Sequence, residues 1–166
     1  MITQLRIDER LLHGQVTTQW SKFLAVTGIV VANDYAAENE MLKKMLKMAA
    51  PVGIKVTIRT IDDAISLLND PRGENMRMLV IVDNPKDALA LVNALPIEIV
   101  NVANFTKKQS DHKIQLTHHC SADPDDLKYF AELAKCNIEL ISQMIPGVEK
   151  ENFKEIIKKL KRRIRL

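Results

Sequence analysis

The chain contains few of the features that mark export, disulfide bonding or membrane insertion. Only two of its 166 residues are cysteine, Cys120 and Cys136, which is too few for a disulfide framework or a zinc ribbon. No apolar run approaches the roughly 20 residues that a membrane-spanning helix requires. The first residues also lack the basic and then apolar pattern of a secretory signal. We therefore expect a cytoplasmic protein.

Excess positive charge is confined to one end of the chain. The formal net charge is +3, but residues 150–166 hold eight basic side chains against two acidic ones. This local balance of +6 leaves −3 for all other residues. The overall charge therefore does not indicate a nucleic-acid-binding protein.

Short apolar runs alternate with helical patterns along the whole chain. Strands are predicted over 2–7, 28–32, 54–58, 78–82, 97–102, 113–116 and 137–141. Helices are predicted over 15–24, from a cap at Asp34 to about 49, over 60–68, 85–95 and 124–135, and from 149 onward. This alternation is typical of βαβ units. The sequence predicts an α/β fold, a single domain over residues 1–166 with an open, mostly parallel sheet of about seven strands and helices on both faces.

One histidine lies among charged residues directly after the first predicted strand. The segment reads Arg6-Ile7-Asp8-Glu9-Arg10-Leu11-Leu12-His13-Gly14-Gln15-Val16. Ligands of open parallel sheets bind at the carboxyl ends of the strands, on loops that lead into helices. His13 is therefore expected beside the N–H groups of a helix N-terminus, which favour a bound anion.

The residue types around His13 suit the binding or transfer of a phosphoryl group. A neutral imidazole is a nucleophile near pH 7, and Arg10 offers a planar fork of donors for phosphoryl oxygens. Gly14 permits close backbone approach or a positive φ. We expect Asp8 or Glu9 to hydrogen-bond one imidazole nitrogen and leave the other free to react.

Other interpretations of this loop remain open on the sequence alone. The chain has no Walker A loop and no Gly-x-Gly-x-x-Gly motif, so we expect no bound nucleotide or other cofactor, and phosphate would arrive on another protein. His13 could instead cap a helix structurally. The chain could also be a non-enzymatic α/β module that holds a small anion, or a hydrolase with His13 as general base, although no nucleophile motif accompanies it.

The histidine segment, with Trp20 four residues beyond it, resembles the signature of a known family. That family is the enzyme IIB component of the mannose-family phosphoenolpyruvate-dependent sugar phosphotransferase systems. The likeness continues through residues 29–34, 48–55, 84–88 and 101–102 and covers most of the chain. Two mild departures are Glu9 and Leu12, where aspartate and isoleucine are expected. The larger one is Ala103-Asn104-Phe105, where relatives often carry a glycine pair.

The resemblance implies a mechanism and a set of partners. His13 would accept a phosphoryl group, at Nδ1, from a histidine of a IIA protein and pass it to a sugar held by the membrane proteins IIC and IID. Arg10 would clamp the phosphoryl group. The loop would be shaped by Asp8, Gly14 and Gln15, and Asp34 would line the same crevice. Neither the sugar nor the oligomeric state, a homo-oligomer included, follows from the sequence.

Three further patterns have simple interpretations. His118-His119-Cys120 invites a metal site, but neighbouring residues of an extended chain point to opposite sides and no second ligand group stands at a suitable spacing. Met41, Met45 and Met48 recur at helical spacing and are predicted to lie in the core. The basic C-terminal helix is predicted to dock its apolar face on the sheet, with attraction to anionic lipid or an acidic partner as the alternative.

Overall fold

Strands and helices alternate throughout the computed structural model, which describes residues 1–107 and 110–164 with the side chains of Gln15 and Val16 excepted. The strands are β1 (Ile2–Asp8), β2 (Gly28–Ala32), β3 (Lys55–Arg59), β4 (Met78–Val82), β5 (Ile99–Asn104), β6 (Ile114–Thr117), β7 (Cys120–Ala122), β8 (Glu139–Ser142) and β9 (Glu151–Asn152). The α-helices are α1 (Gly14–Phe23), α2 (Asp34–Glu38), α3 (Glu40–Met48), α4 (Ile61–Leu68), α5 (Pro85–Ala94), α6 (Pro124–Lys135) and α7 (Phe153–Ile164). A short 3-10 helix, Pro71–Gly73, lies in the loop predicted before β4.

A seven-stranded sheet in the order β3-β2-β4-β1-β5-β8-β9 forms the centre of the molecule. Its neighbours pair in parallel from β3 to β8, and β9 runs antiparallel at the edge. The chain passes from β1 to β2 on one side and later adds β5 on the other, so the carboxyl end of β1 is a topological switch point. Ligands of open α/β sheets bind at such points. The predicted fold class is confirmed.

Each face of the sheet has its own apolar core. Successive side chains of a strand point to opposite faces, so Val30 and Val80 pack with α4 to α7, whereas Val31 and Ile81 pack with α1 to α3. Trp20 of α1 is the largest fully buried side chain on the second face. The helices predicted on both faces are therefore held by two apolar layers.

Two predicted elements have different partners from those expected. The strand predicted over 113–116 is β6, which pairs antiparallel with β7 in a separate hairpin instead of joining the main sheet. The seventh position of the main sheet belongs to β9, which lies where the sequence predicts the start of the last helix. A strand of two exposed polar residues has no hydrophobic period, so the sequence pattern cannot reveal it.

The helix expected to begin at an Asp34 cap is two helices, each capped by an asparagine. Asn33 accepts a hydrogen bond from the N–H of Ala36 at 2.8 Å, and Asn39 accepts one from Leu42 at 3.0 Å. Asp34 is the first residue of α2, and its Oδ1 accepts the N–H of Ile61 at 2.8 Å. The prediction that Asp34 caps its own helix is wrong, since it instead satisfies a donor at the start of α4.

The methionine stripe of α3 faces solvent. Met41, Met45 and Met48 have exposed fractions of 74%, 61% and 86%, so the prediction that they lie in the core is wrong. Leu42 and Leu46 also recur at helical spacing, and Leu46 is buried at 5% exposed. Because both stripes have the same period, the pattern alone could not decide which of them packs on the sheet.

Candidate active site

His13 lies at the end of the loop from β1 and is the N-cap residue of α1. Its N–H donates to Oγ1 of Thr17 at 3.1 Å, and its carbonyl accepts the N–H of Thr17 at 3.0 Å. Thr17 is buried, so it fixes the backbone of His13 from within the molecule. The His13 side chain is exposed and makes no capping hydrogen bond. The structure therefore presents this imidazole to solvent on a fixed backbone.

Two buried leucines anchor the loop. Leu11 and Leu12 are 6% and 5% exposed and belong to the same apolar core as Trp20. Leu11 has a φ of 59°, a left-handed conformation that is uncommon for a bulky residue. Such a conformation persists where surrounding contacts hold it. The shape of the histidine loop is therefore imposed by packing beneath it.

Gly14 does not supply the positive φ that the sequence allows for. That conformation falls on Leu11, while a Cβ added at Gly14 would meet no atom within 4 Å among the described residues. Of the two expected roles, open space for a close approach is the one compatible with the structure. The side chain of Gln15 lies outside the described residues.

Asp8 organises two arginines below the loop. Its carboxylate accepts Nε of Arg10 at 3.0 Å and Nη2 of Arg10 at 3.1 Å, together with the Arg10 backbone N–H at 3.0 Å. Nη2 of Arg6 donates to the same carboxylate at 3.1 Å. Burial favours the neutral acid, but the hydrogen bonds from Arg10 and the charge of Arg6 outweigh it and lower the pKa of Asp8. The carboxylate is therefore charged at neutral pH.

Arg10 is held on one side and open on the other. Its side chain is 35% exposed, whereas those of Asp8 and Arg6 are 1% exposed. Among the described residues, no hydrogen bond involves Nη1 of Arg10. The two arginines and one carboxylate carry a net charge of +1. Arg10, three residues before His13, therefore presents a fixed guanidinium edge that can bind an anion.

A second layer of contacts fixes Arg6. The carbonyl of Met144, beyond the end of β8, accepts Nη1 of Arg6 at 3.3 Å and Nε1 of Trp20 at 2.8 Å. The Arg6 guanidinium lies 5.9 Å from the Trp20 ring centroid, a cation–π distance. Burial lowers the pKa of Arg6, although Asp8 opposes this. The buried cation is thus paired, hydrogen-bonded and stacked, as its burial requires.

The departure Ala103-Asn104-Phe105 forms the neighbouring wall and is bonded to the histidine loop. The Asn104 carbonyl accepts the N–H of Glu9 at 2.8 Å, and its Nδ2 approaches Oδ1 of Asp8 at 3.4 Å. The Glu9 carboxylate accepts the N–H and the hydroxyl of Thr106 at 3.1 and 2.7 Å. Phe105 is buried and packs edge-on against Phe130. The side chain of Asn104 thus joins this wall to the carboxylate of Asp8.

The expected bond from Asp8 or Glu9 to the imidazole is absent from the described residues. Asp8 is occupied by the two arginines, and Glu9 turns away to Thr106. Both carboxylates precede His13 by only a few residues, so the sequence made either one a reasonable partner. Asp8 is bonded to arginines of its own strand and loop, whereas Glu9 is bonded to Thr106 in the segment after β5.

Asp34 lies on the other side of β4 from the histidine loop. The charge of Asp34 acts on Asp87 of α5, as does the charge of Asp83, which directly follows β4. Burial, followed by the charges of Asp83 and Asp34, raises the pKa of Asp87, while the side chain of Asn84 opposes this rise. The switch point therefore has a cationic side toward β5 and an acidic side toward β2. The structure brings Asp8 and Arg10 together, but it shows no hydrogen bond from Asp34 to their loop.

Several residues of the site could not be identified from the sequence. Thr17, Asn104, Thr106 and Met144 act through hydrogen bonds to residues that are up to 138 positions away. No local motif marks such pairs. The Asn104 segment alone carried a signal, as a departure from the family pattern.

The described residues lack a metal-binding cluster and a membrane-spanning helix. They contain no group of three or more His, Cys, Asp or Glu side chains that could hold a metal ion, His118, His119 and Cys120 included. No helix among them is long and apolar enough to cross a membrane.

Comparisons with known proteins agree with this site and fold. Residues 2–165 match the family model described as the PTS system sorbose subfamily IIB component. A probable phosphotransferase enzyme IIB component of Streptococcus pyogenes is 40% identical over 162 residues, covering 95% of this chain and 99% of the relative. The mannose-specific EIIAB component of Escherichia coli is 31% identical over 93% of this chain and 48% of its own length.

Solved structures give the same result. The crystal structure of the IIBSor domain of the sorbose permease from Klebsiella pneumoniae superposes with a TM-score of 0.86 at 32% identity, covering 96% of this chain and 97% of that one. The resemblance to mannose-family IIB components is thereby confirmed, and the relatives' enzyme status disfavours the non-enzymatic anion-binding module. This chain belongs to the sorbose-subfamily IIB components of the sugar phosphotransferase systems, the phosphotransferase enzyme components that take part in sugar uptake.

Proposed function

We propose that this chain is a phosphocarrier over residues 1–166, which accepts a phosphoryl group on His13 from a phosphohistidine of a IIA protein. His13 then transfers the group to a sugar held by the membrane proteins IIC and IID. The observation that carries this proposal is the place of His13, an exposed imidazole on a fixed backbone at the switch point of the sheet. The relative named EIIAB component supports a IIA protein as the donor.

The chemistry needs alignment and charge neutralisation more than bond activation. In the first step the nitrogen–phosphorus bond of the donor histidine breaks as a bond to His13 forms. In the second the nitrogen–phosphorus bond to His13 breaks as the sugar oxygen bonds to phosphorus, and the hydroxyl proton passes to solvent. Arg10 would bind phosphoryl oxygens through its open edge, since Asp8 already holds the other edge. The N-terminus of α1 adds N–H donors and a favourable dipole.

The remaining site residues have supporting roles in this proposal. Asp8 aims Arg10, and the open space at Gly14 admits the donor histidine. Gln15 would help to shape the loop, as the family resemblance implies, and Asp34 would line the crevice from its acidic side. The protein would work at the cytoplasmic face of the membrane, attached peripherally through the permease.

A labelling experiment tests the carrier residue. The full chain is incubated with radiolabelled phosphoenolpyruvate, enzyme I, the carrier protein HPr and a sorbose-family IIA protein. We expect an acid-labile, base-stable label that is lost in His13→Ala and kept in His112→Ala, a matched change at another exposed histidine. Because the His13 side chain is exposed, both variants should keep their stability within about 0.5 kcal/mol. Undiminished labelling of His13→Ala would show that the assignment is wrong.

A further inference from the structure

The β6–β7 hairpin is fixed onto the end of β5 by backbone hydrogen bonds. The N–H of Phe105 donates to the carbonyl of His119 at 2.9 Å, and the N–H of Ser121 donates to the carbonyl of Phe105 at 2.7 Å. Phe105 and Cys120 also form an isolated parallel β-bridge. The turn of this hairpin, which contains His118 and His119, therefore has a defined place beside the carboxyl end of β5.

The same stretch of chain is bonded to the histidine loop. Glu9 donates its N–H to Asn104 and accepts two hydrogen bonds from Thr106, so bonds to the loop lie on both sides of Phe105. One short segment thus joins the His13 loop on one side and the hairpin turn on the other. The backbone of His119 therefore lies beside the segment that borders the His13 loop.

The two neighbouring histidines differ in environment. His118 is exposed, whereas His119 is partly buried, and their rings meet edge-on with centroids 4.7 Å apart. Burial lowers the pKa of His119, the charges of His118 and Arg10 lower it further, and Glu151 of β9 opposes them. His119 is accordingly neutral near pH 7 and lies within the electrostatic reach of the Arg10 guanidinium.

Two charged groups near the hairpin, Lys107 and Glu9, already have partners. Lys107 binds Asp123 at 3.2 Å and Asp126 at 3.4 Å, at the start of α6. Glu9 is bonded to Thr106. A negative charge added at His13 would act on His119 together with the charges of Arg10 and Glu151.

We propose that His119 is a phosphoryl-responsive group of the His13 crevice, which takes up a proton when His13 carries a phosphoryl group and helps to retain that group. The inference rests on the proposed carrier role of His13. The proton comes from solvent, converts the imidazole to imidazolium and allows an N–H donor to face the phosphoryl oxygens. No bond to His119 forms, and no electrons are transferred. Retention of the phosphoryl group then depends on pH through His119.

The test compares the full chain before and after phosphorylation through phosphoenolpyruvate, enzyme I, HPr and a sorbose-family IIA protein. Histidine ring resonances are followed by NMR from about pH 5 to about pH 8.5, a range that spans histidine titration, and His119→Gln assigns its signals. We expect the proton affinity of His119 to rise at least threefold on phosphorylation, and that of His118 to rise less.

A retention assay gives a second readout. Near pH 6.5, where histidine titrates, we expect His119→Gln to lose the phosphoryl group at least threefold faster than the wild type. At about pH 8.5 the rates of loss of the two proteins should converge, because His119 is then neutral whether or not His13 is phosphorylated. His118→Gln, a change of the adjacent imidazole, should lie closer to the wild type at both pH values.

The outcomes separate this inference from the proposed function. A label on His13 with an unchanged titration of His119 would overturn the inference alone. Absence of a label on His13 would overturn the carrier role and the inference together. The titration itself is measured on the wild-type chain, and only the assignment of the His119 signals uses a variant.

Discussion

Arg10→Ala should slow phosphoryl transfer at a small cost in stability, whereas Arg6→Ala should cause a large loss of stability. Both side chains bind the carboxylate of Asp8, yet Arg10 is 35% exposed and Arg6 is 1% exposed. In Arg10→Ala, Asp8 keeps Arg6 and the approach of Asn104. Exposed ion pairs contribute up to about 1 kcal/mol, so we expect a loss of about 1 kcal/mol in the free energy of unfolding.

Arg6→Ala removes the buried partner of Asp8 and leaves that carboxylate with the more exposed Arg10 and the approach of Asn104. Breaking a buried pair costs about 3–5 kcal/mol, and here the Met144 carbonyl also loses one of its two donors. We expect a loss in that range. The contrast follows from burial, since the two arginines carry the same charge and share one acceptor.

The effect on phosphoryl transfer should be large for Arg10→Ala. Hydrogen bonds to charged groups contribute about 1.5–3 kcal/mol, which corresponds to a transfer rate about tenfold to 150-fold slower. Arg10→Lys keeps the charge but cannot keep the bidentate contact with Asp8. Its rate of phosphoryl transfer should therefore lie between those of the wild type and Arg10→Ala.

Two assays measure these quantities. Urea unfolding can be followed through the fluorescence of Trp20, the single and buried tryptophan, and transfer can be followed by rapid quench from a phosphorylated IIA protein. A stability loss above 3 kcal/mol in Arg10→Ala, or transfer at the wild-type rate, would refute the assigned role. Equal stability losses in the two alanine variants would refute the account based on burial.

Three further predictions concern other parts of the molecule. Trp20→Phe loses the bond to the Met144 carbonyl and should lower the free energy of unfolding by about 2 kcal/mol; a loss below 0.5 kcal/mol in urea titration would contradict the importance of this contact. Met45→Gln on the exposed stripe should change stability by less than about 0.5 kcal/mol, and a thermal shift showing a large loss would place Met45 in the core after all. Because the folded protein lowers the pKa of Asp8, its contribution is present at neutral pH and is lost as pH falls through that lowered value. Urea midpoints between about pH 5 and about pH 2 should therefore decline, beginning at higher pH in Arg10→Ala; identical profiles would show that Arg10 does not stabilise the Asp8 carboxylate.

The alternation of apolar strands and helical stretches was sufficient to predict the class of fold. Continuous apolar runs such as β4 are typical of strands buried on both faces, and His13 followed the first of them, so its place at a carboxyl end could be inferred. The prediction for the methionines of α3 was wrong because two apolar stripes there have the same period. Both stripes of α3 have the helical period, and tertiary contacts chose Leu46 over Met45 for burial.

Local sequence also set the parts of the site but not their pairing. Asp8, Glu9, Arg10 and His13 are adjacent in the chain, and the structure keeps the first two carboxylates away from the imidazole. Their partners come from β1 itself, from the segment after β5 and from the loop after β8. Hydrogen bonds over such separations depend on strand order and register, which no local pattern encodes.

Residue types near the N-terminus set the chemistry available to this protein: one imidazole after a central strand, an arginine three residues before it and no nucleotide-binding loop. Which charges meet depends on the fold. It buried Arg6 with Asp8, left one edge of Arg10 open and placed the hairpin of His119 beside the loop. The physical reason is that residue types and periods are local, whereas burial and ion pairing depend on how distant strands are brought together at one edge of the sheet.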